Sequence, residues 1–208
     1  MTESVAGVVL AGGLSRRMGG GDKTLLTVAG EPMLQRVIDR LKPQVGNLVL
    51  NANGDPARFA AYGLPVVTDP IEGFAGPLAG VLAGLRWAGE NTNARHVVSA
   101  AGDTPFFPRD LVAKLLDAAG GKDRIVLASS NGRTHPVFGL WPVSLADDLD
   151  AFLTAGETRK VLVWVDRHDN ATVNFPMLET AGEPLDPFFN INTPEEMDAA
   201  EQLAVAGV

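Results

Sequence analysis

The stretch VVLAGGLSRRMGGGDKTLL, residues 8–26, places an apolar run directly before a glycine-rich segment that carries two arginines and a lysine. Residues 5–10, VAGVVL, have the composition of a buried strand. Glycines let a backbone come close to phosphate oxygens, and the N–H groups of such a loop can point at them. The stretch therefore predicts a phosphate-binding loop at the carboxyl end of a first β-strand, where open α/β sheets bind their ligands.

The stretch does not match the sequence pattern of either of two well-known phosphate-binding loops. A dinucleotide-binding loop requires G-x-G-x-x-G, but counting from Gly12 the third position is Leu14, and a start at Gly13 fails in the same way. A P-loop requires glycine immediately before its lysine, and here Asp22 precedes Lys23. The loop therefore belongs to neither type.

Strand-like and helix-like segments alternate along the rest of the chain. Strands are predicted for NLVLNAN (47–53), PVVTD (65–69), HVVSAAGD (96–103), RIVLASS (124–130), HPVFGLWP (135–142) and KVLVWV (160–165). Helices are predicted for PMLQRVIDRL (32–41), GPLAGVLAGLRWA (76–88), PRDLVAKLLDAA (108–119), VSLADDLDAFLTAG (143–156) and NTPEEMDAAEQL (192–203). Strands that are apolar on both faces and separated by helices favour a three-layer α/β fold with a mostly parallel sheet, in one domain over residues 1–208.

The start of the last helix has a clear sequence signature. Thr193 is expected to be the N-cap, Pro194 the first helical residue, and Glu196 the second half of a capping box.

Composition and charge exclude several classes of protein. The formal net charge of -8 argues against a general nucleic-acid binder, which needs an excess of basic residues on one face. The chain has no cysteine and therefore no disulfide framework or thiolate metal site. No apolar stretch is long enough to span a bilayer, and no export leader is expected. Against this acidic background, the basic cluster of Arg16, Arg17 and Lys23 indicates a local site for a polyanion.

LAGGLSRRMGGGDK, residues 10–23, resembles the signature of the nucleotidyltransferases, in which a phosphate oxygen attacks the α-phosphate of a nucleoside triphosphate and expels pyrophosphate. The Gly12–Gly13 pair and the Gly-Gly-x-Asp-Lys ending are similar to those of the molybdenum cofactor guanylyltransferases. A departure is Gly21, where many relatives carry a larger residue. The resemblance implies a Rossmann-like nucleotidyltransferase fold and a transfer of GMP from GTP to the phosphate of molybdenum-bearing molybdopterin. It also implies Mg²⁺ as cofactor and a cytoplasmic location.

The resemblance also assigns the nucleotide site. Lys23 and Arg17 are implied to neutralise the phosphates and the leaving pyrophosphate, and Asp103 in AAGDTPF to hold Mg²⁺, which prefers hard oxygen ligands. The implied nucleotide-binding residues are Leu10, Ala11, Gly12, Gly13, Lys23, Asn51, Asp69 and Asp103. Asp103 and Asp69 would also suit turns before proline, and Asn51 would also suit a strand end.

Relatives that use CTP or sugar phosphates usually carry alanine where this chain has Gly12. The missing Cβ is expected to leave room for guanine. The edge of the base would be read by Asp69 or by backbone groups of Leu10 and Ala11.

The acceptor site is expected in the C-terminal half. Arg159 and Lys160 in GETRKVLVW are candidates for the acceptor phosphate, and Asn190 and Asn192 in FFNINTP for phosphate or pterin. The basic pair would equally suit solvated charges at a strand start, and the asparagines a turn before the last helix. His135 in THPVFG suits a structural role as well as a ligand contact. The family also implies partner proteins that insert molybdenum and chaperones of molybdoenzymes.

Two other functions stay open at this point. One keeps the fold and the chemistry but transfers a cytidylyl group or uses a sugar-phosphate acceptor, and the Gly12–Gly13 pair and NINTPEE argue against it. The other is a non-catalytic nucleotide-binding relative, and the presence of Lys23, Arg17 and Asp103 together argues against that.

Overall fold

The described part of the chain is built from nine strands and six α-helices. The structure, a computed structural model, describes residues 5–12, 23–71, 76–156, 158–180 and 184–205. The strands are β1 (Val5–Leu10), β2 (Thr27–Val28), β3 (Glu31–Pro32), β4 (Asn47–Asn51), β5 (Val66–Val67), β6 (His96–Ala101), β7 (Ile125–Ser130), β8 (Arg133–Pro142) and β9 (Asn170–Asn174). The helices are α1 (Met33–Leu41), α2 (Pro77–Asn91), α3 (Leu111–Ala119), α4 (Ala146–Ala155), α5 (Val161–Val165) and α6 (Pro194–Val205).

Seven of these strands form one sheet in the order β5-β4-β1-β6-β8-β7-β9. β8 is antiparallel to both of its neighbours, and the other paired strands are parallel. The chain leaves β1 toward β4 and β5 and then returns to place β6 on the other side of β1. The prediction of a mostly parallel sheet is confirmed, and the reversal of strand order next to β1 marks the edge where such sheets bind ligands.

Two apolar layers cover the two faces of the sheet. Along β1, Val9 packs with Leu34 of α1 and Leu115 of α3, whereas its neighbour Val8 packs with Leu82 of α2 on the opposite face. Successive residues of a strand point to opposite faces, so a strand buried on both sides is apolar throughout. The helices α4 and α5 complete the layer that contains α2. The predicted three-layer arrangement is confirmed.

A smaller apolar cluster attaches the C-terminal helix to the rest of the fold. Val28 of the β2–β3 hairpin packs with Ile191 and with Leu203 of α6. The predicted capping box is present, because Glu196 N donates to Thr193 Oγ1 at 3.2 Å and Thr193 N donates to Glu196 Oε2 at 2.9 Å. The segment before α6 is thereby held in a defined conformation.

The prediction of a strand over residues 160–165 is wrong. Residues Val161–Val165 form the short helix α5, in which Val161, Trp164 and Val165 are buried while Leu162 and Val163 are about 40% exposed (43% and 44%). This is the i, i+3, i+4 spacing of one helical face rather than the alternation of a strand. Five consecutive apolar residues carry no periodicity of their own, so packing against α4 and β8 decides between the two structures.

The structure contains two strand features that the sequence did not predict. The edge strand β9 has the mainly polar sequence NATVN and pairs with β7, and the β2–β3 hairpin has only two residues in each strand.

The strand β8 begins earlier than predicted, at Arg133. Its pairing with β7 shifts, because Leu127 pairs with Gly139 but Ala128 pairs with His135. Three residues, including Pro136, therefore lie between paired positions, and proline cannot donate a ladder hydrogen bond.

Candidate functional site

The candidate site lies where the carboxyl ends of β1, β4 and β6 meet. The backbone pairing continues past the strand ends, since Ala11 N donates to Asn51 O at 2.9 Å and Gly102 N donates to Leu10 O at 3.0 Å. A Cβ on Gly102 would lie 3.2 Å from Leu10 O, so glycine permits this close approach. The residues that follow the three strands are thereby held side by side.

Lys23, Asp103 and Asn192 meet at this edge although they are far apart in sequence. Lys23 Nζ donates to Asp103 Oδ2 at 2.6 Å and to Asn192 Oδ1 at 2.5 Å, across separations of 80 and 169 residues. The side chains of Lys23 and Asp103 are only 12% and 22% exposed, so water screens the ion pair incompletely. The structure thus brings together the lysine of the first loop, the carboxylate after β6 and one of the two C-terminal asparagines.

The segment that carries both asparagines is fastened to the turn of Asp103. Ile191 N donates to the backbone oxygen of Asp103 at 3.2 Å, and Thr104 Oγ1 donates to Asn190 Oδ1 at 2.5 Å. Ile191 is fully buried, which anchors the segment between its two exposed asparagines. Thr104 was missed by sequence reasoning, although its place directly after Asp103 was a usable signal.

The donor atoms of this cluster suit a hard cation. Asp103 Oδ2 and Asn192 Oδ1 both lie within hydrogen-bond distance of one positively charged nitrogen, so they are directed at a common point. Within the described ranges, no three histidine, aspartate or glutamate side chains gather closely enough to form a metal site on their own. Mg²⁺ commonly takes one or two carboxylates and fills its other positions with substrate phosphates and water. The residues present therefore fit a metal that arrives with a nucleotide.

A second polar cluster surrounds Asp69 at the end of the neighbouring strand. Asn51 is buried, and its Nδ2 donates to Asp69 Oδ1 at 3.0 Å and to Val67 O at 3.3 Å. Asn53 Nδ2 donates to Asp69 Oδ2 at 2.7 Å, and its Oδ1 accepts from Asp69 N at 2.9 Å. One bond of the Asn51 amide thus holds Asp69, and the other ties Asn51 to the backbone of β5. Asn53 was missed, although the repeat in NAN was a signal for it.

Gly80 of α2 makes room for this cluster and supplies a test of it. A Cβ at Gly80 would lie 2.3 Å from Asn51 Oδ1 and 2.7 Å from Leu10 Cδ2. We expect Gly80→Ala to lower the free energy of unfolding by about 1–3 kcal/mol, as overpacking does, measured by chemical denaturation. The matched control is Gly89→Ala on the same helix, where the Cβ would meet Val143 Cγ1 at an ordinary 3.5 Å. Equal stability of the two variants would contradict the packing argument.

The remaining predicted residues fall into two groups. Gly13, Arg16, Arg17 and Gly21 lie outside the described residues. Arg159 and Lys160 are exposed and precede helix α5 rather than begin a strand.

The residues predicted to bind the acceptor line different cavities. Arg159 lines a small hollow with Gly76 and Leu78, whereas Asn190 and Asn192 line a cavity of about 350 Å³. Among the described residues the two cavities share no lining residue, so Arg159 and the asparagine pair lie in different cavities, and Lys160 lines neither.

Comparisons with known proteins agree with this geometry. The family described as the MobA-like NTP transferase domain matches residues 7–171. A Bradyrhizobium protein (strain ORS 278) named molybdenum cofactor guanylyltransferase is 55% identical over 205 residues, covering 98% of this chain and 94% of that protein. A protein of the same name from Mesorhizobium japonicum is 50% identical, with 98% and 97% covered.

Solved structures show the same fold at lower identity. The molybdopterin-guanine dinucleotide biosynthesis protein A of Archaeoglobus fulgidus superimposes with a TM-score of 0.74 at 24% identity, covering 97% of this chain and 99% of that one. A 4-diphosphocytidyl-2C-methyl-D-erythritol synthase from Anaerococcus prevotii reaches the same TM-score at 12% identity, covering 98% and 96%. Proteins named for different substrates therefore share this fold, and the fold by itself does not select the substrate.

Proposed function

The chain belongs to the molybdenum cofactor guanylyltransferase family, within the MobA-like NTP transferases, and from this premise we propose that it transfers GMP from GTP to the phosphate of molybdenum-bearing molybdopterin. Pyrophosphate leaves, and the molybdopterin guanine dinucleotide cofactor is formed. The observation that carries the proposal is the position of Lys23 Nζ between Asp103 Oδ2 and Asn192 Oδ1 at the edge of the sheet next to β1.

The proposed reaction forms one bond and breaks one at the α-phosphorus of GTP. An oxygen of the acceptor phosphate attacks, and the bond to the pyrophosphate oxygen breaks. The attacking phosphate is ionised at neutral pH, so the reaction needs neither a covalent intermediate nor a strong general base. Catalysis is then mainly positioning and charge stabilisation. Lys23 supplies a positive charge for the phosphates, and we propose the same role for Arg17.

We propose Mg²⁺ as the metal cofactor, held by Asp103 with help from Asn192. When bound, Mg²⁺ would draw phosphate oxygens together and offset their negative charge. Asp103 supplies the carboxylate, Asn192 supplies a neutral amide oxygen, and the phosphates and water complete the ligand set. The support for this assignment is that both oxygens already converge on a cation, the Lys23 ammonium.

The nucleotide is proposed to bind along Leu10, Ala11, Gly12 and Gly13, with Asp69 at the far side. Asn51 and Asn53 hold the Asp69 carboxylate in a fixed orientation, so it can accept hydrogen bonds from the guanine edge without an added ordering cost. Asn51 then acts mainly by positioning Asp69.

Gly12→Ala is expected to raise the KM for GTP by about tenfold without changing the thermal stability. The added methyl would enter the proposed base pocket, and overpacking of this kind costs about 1–3 kcal/mol. Within the described residues it would meet only Ala52 Cα, at 3.9 Å, so this part of the fold tolerates it. Steady-state kinetics and a melting curve check both parts, and unchanged use of GTP would count against the hypothesis that Gly12 makes room for guanine.

The proposed function is tested by pyrophosphate release with Mg²⁺ and each of GTP, CTP, ATP and UTP, with and without molybdopterin. Release from GTP that requires molybdopterin, and that stops when EDTA removes the metal, is the expected result. Preference for CTP, or release only with a sugar phosphate, would assign the chain to another nucleotidyl transfer. GTP binding without release would indicate a non-catalytic nucleotide-binding protein.

We further propose that the protein works in the cytoplasm, where GTP is available, and that it exchanges its product with proteins that insert molybdenum and with chaperones of molybdoenzymes. Within the described residues no helix has both the length and the apolar character needed to cross a membrane.

A further inference from the structure

Thr24 follows Lys23 directly and lies at the same edge of the sheet. The two residues begin a short 3-10 helix, Lys23–Leu25. A Cβ on Gly102 would lie 2.9 Å from Thr24 Cγ2, so the Thr24 side chain packs on the residue that precedes Asp103. Thr24 is thereby placed between the lysine of the proposed phosphate site and the turn that carries the carboxylate of that site.

The hydroxyl group of Thr24 is buried without a hydrogen bond. Thr24 is 4% exposed, and its Oγ1 is enclosed and has no partner within the described ranges of the chain. A hydroxyl that gives up its bonds to water and gains none in return lowers the stability of the fold. Valine has nearly the same shape and would fill this position without that cost, so packing does not explain the threonine. Unpaired buried polar groups are rare in folded proteins, and each calls for a separate explanation.

The surroundings of Thr24 indicate what its hydroxyl binds. On the neighbouring residue, Lys23 Nζ donates to Asp103 Oδ2 and Asn192 Oδ1, and the proposed function brings triphosphate oxygens to this ammonium. Ionised phosphate oxygens only accept hydrogen bonds, and a hydroxyl has one proton to donate. A bond to an ionised oxygen is about twice as strong as a bond between neutral groups. A phosphate is therefore the ligand at this site that best satisfies the hydroxyl.

We propose that Thr24 Oγ1 donates a hydrogen bond to a phosphate oxygen of the bound nucleoside triphosphate. The inference rests on the proposed function and adds a phosphate-binding residue to its nucleotide site. The triphosphate competes with Asp103 and Asn192 for the Lys23 ammonium, so its arrival opens the ion pair between Lys23 and Asp103. Because Thr24 is the next residue in the chain, this movement uncovers the hydroxyl that is enclosed while the ion pair is closed.

Thr24→Val tests the phosphate contact, because it removes the hydroxyl and keeps the branched side chain. We expect the Kd for GTP, measured by isothermal titration calorimetry, to rise about tenfold, the cost of one hydrogen bond to a charged group. The Kd for guanosine, which has the same base but no phosphate, should stay within about twofold of the wild type. Thr24→Ser keeps the hydroxyl and should bind GTP within about threefold of the wild type. An equal rise for guanosine, or an equal loss in Thr24→Ser, would overturn the proposal.

The titration is made both with Mg²⁺ and with EDTA, because the hydroxyl that follows the lysine of a P-loop contacts the metal instead. A direct bond to phosphate predicts that Thr24→Val weakens GTP binding in both solutions. A loss seen only with Mg²⁺ would show that Thr24 acts on the metal, and it would refute the contact with phosphate.

Thermal stability separates this role from a structural one. Thr24→Val should raise the melting temperature of the protein without nucleotide by about 2–4 °C, because a buried hydroxyl without a partner is removed. The matched control is Thr92→Val at the end of α2, where Thr92 Oγ1 donates to Ala88 O at 2.8 Å and accepts from Ala94 N at 3.1 Å. That variant should melt at a lower temperature and bind GTP normally. A lower melting temperature of Thr24→Val together with unchanged GTP affinity would show that Thr24 is structural.

Failure of this inference and failure of the proposed function give different results. If the wild type transfers GMP to molybdopterin and Thr24→Val binds GTP as the wild type does, the phosphate contact is wrong and the function stands. If the wild type uses CTP instead and Thr24→Val weakens CTP binding, the function is wrong and the contact stands. Thr24→Ala is a second variant without the hydroxyl, and it should show the same loss of GTP affinity should Thr24→Val not fold.

Discussion

We expect Asp103→Asn to lower turnover by about 100-fold or more while the chain stays folded. Loss of a charge that is aimed at the reacting phosphates typically costs about two to three orders of magnitude. Asparagine keeps the shape of Asp103, and its single amide oxygen can still accept from Lys23, which donates to Asp103 Oδ2 at 2.6 Å. The backbone bond from Ile191 N to Asp103 O does not involve the side chain and holds the turn.

Comparison with Asp103→Ala and a remote control makes this prediction specific. If the carboxylate holds a metal, the asparagine and alanine variants should be almost equally slow; if it only orients Lys23, asparagine should be nearly normal. The remote control is Asp150→Asn, which removes a carboxylate charge from the ion pair between Asp150 and Arg86. The charged atoms of that pair lie 2.6 Å apart, and the pair is far in sequence from the site, so turnover should stay unchanged. Near-normal turnover of Asp103→Asn would remove Asp103 from the proposed metal role.

Lys23→Met should also lower turnover about 100-fold, and it should raise the KM for GTP. Methionine keeps much of the length and apolar character of the side chain but removes the ammonium that offsets phosphate charge. Lys114→Met is the matched control, because Lys114 forms an ion pair with Asp110 at 2.9 Å on α3. A Lys23→Met enzyme with an unchanged KM for GTP and unchanged turnover would exclude Lys23 from the phosphate site.

The double variant tests whether Lys23 and Asp103 act as one unit. Their charged atoms lie 2.6 Å apart, so each single substitution already disturbs the other residue. We expect the double variant to lose less than the product of the two single losses, as residues of one catalytic unit do. Losses that multiply would show that the two side chains act independently.

Local patterns in the sequence predicted much of the scaffold. β1 was recognisable because it is apolar on both faces, and the start of α6 because Thr193 and Glu196 need only each other to form the capping box. By contrast, α5 was mistaken for a strand and β9 was missed. Neither segment has a hydrophobic periodicity strong enough to predict its structure, so packing decides it. The helix α5 packs in the layer that contains α4, and β9 pairs with the edge of β7.

The candidate site was likewise predicted in part from local sequence patterns and in part decided by the tertiary structure. The sequence by itself determined the family and the residue types of the site, because the motif around Lys23 and the turn with Asp103 are each contiguous. Only the tertiary structure decided that Asn192 reaches Lys23 across 169 residues, that Asn51 holds Asp69, and that His135 of β8 lies beside Ser130 and Asp186. Such contacts depend on how the layers pack and where β8 breaks its register, and no local run of residues encodes those distances.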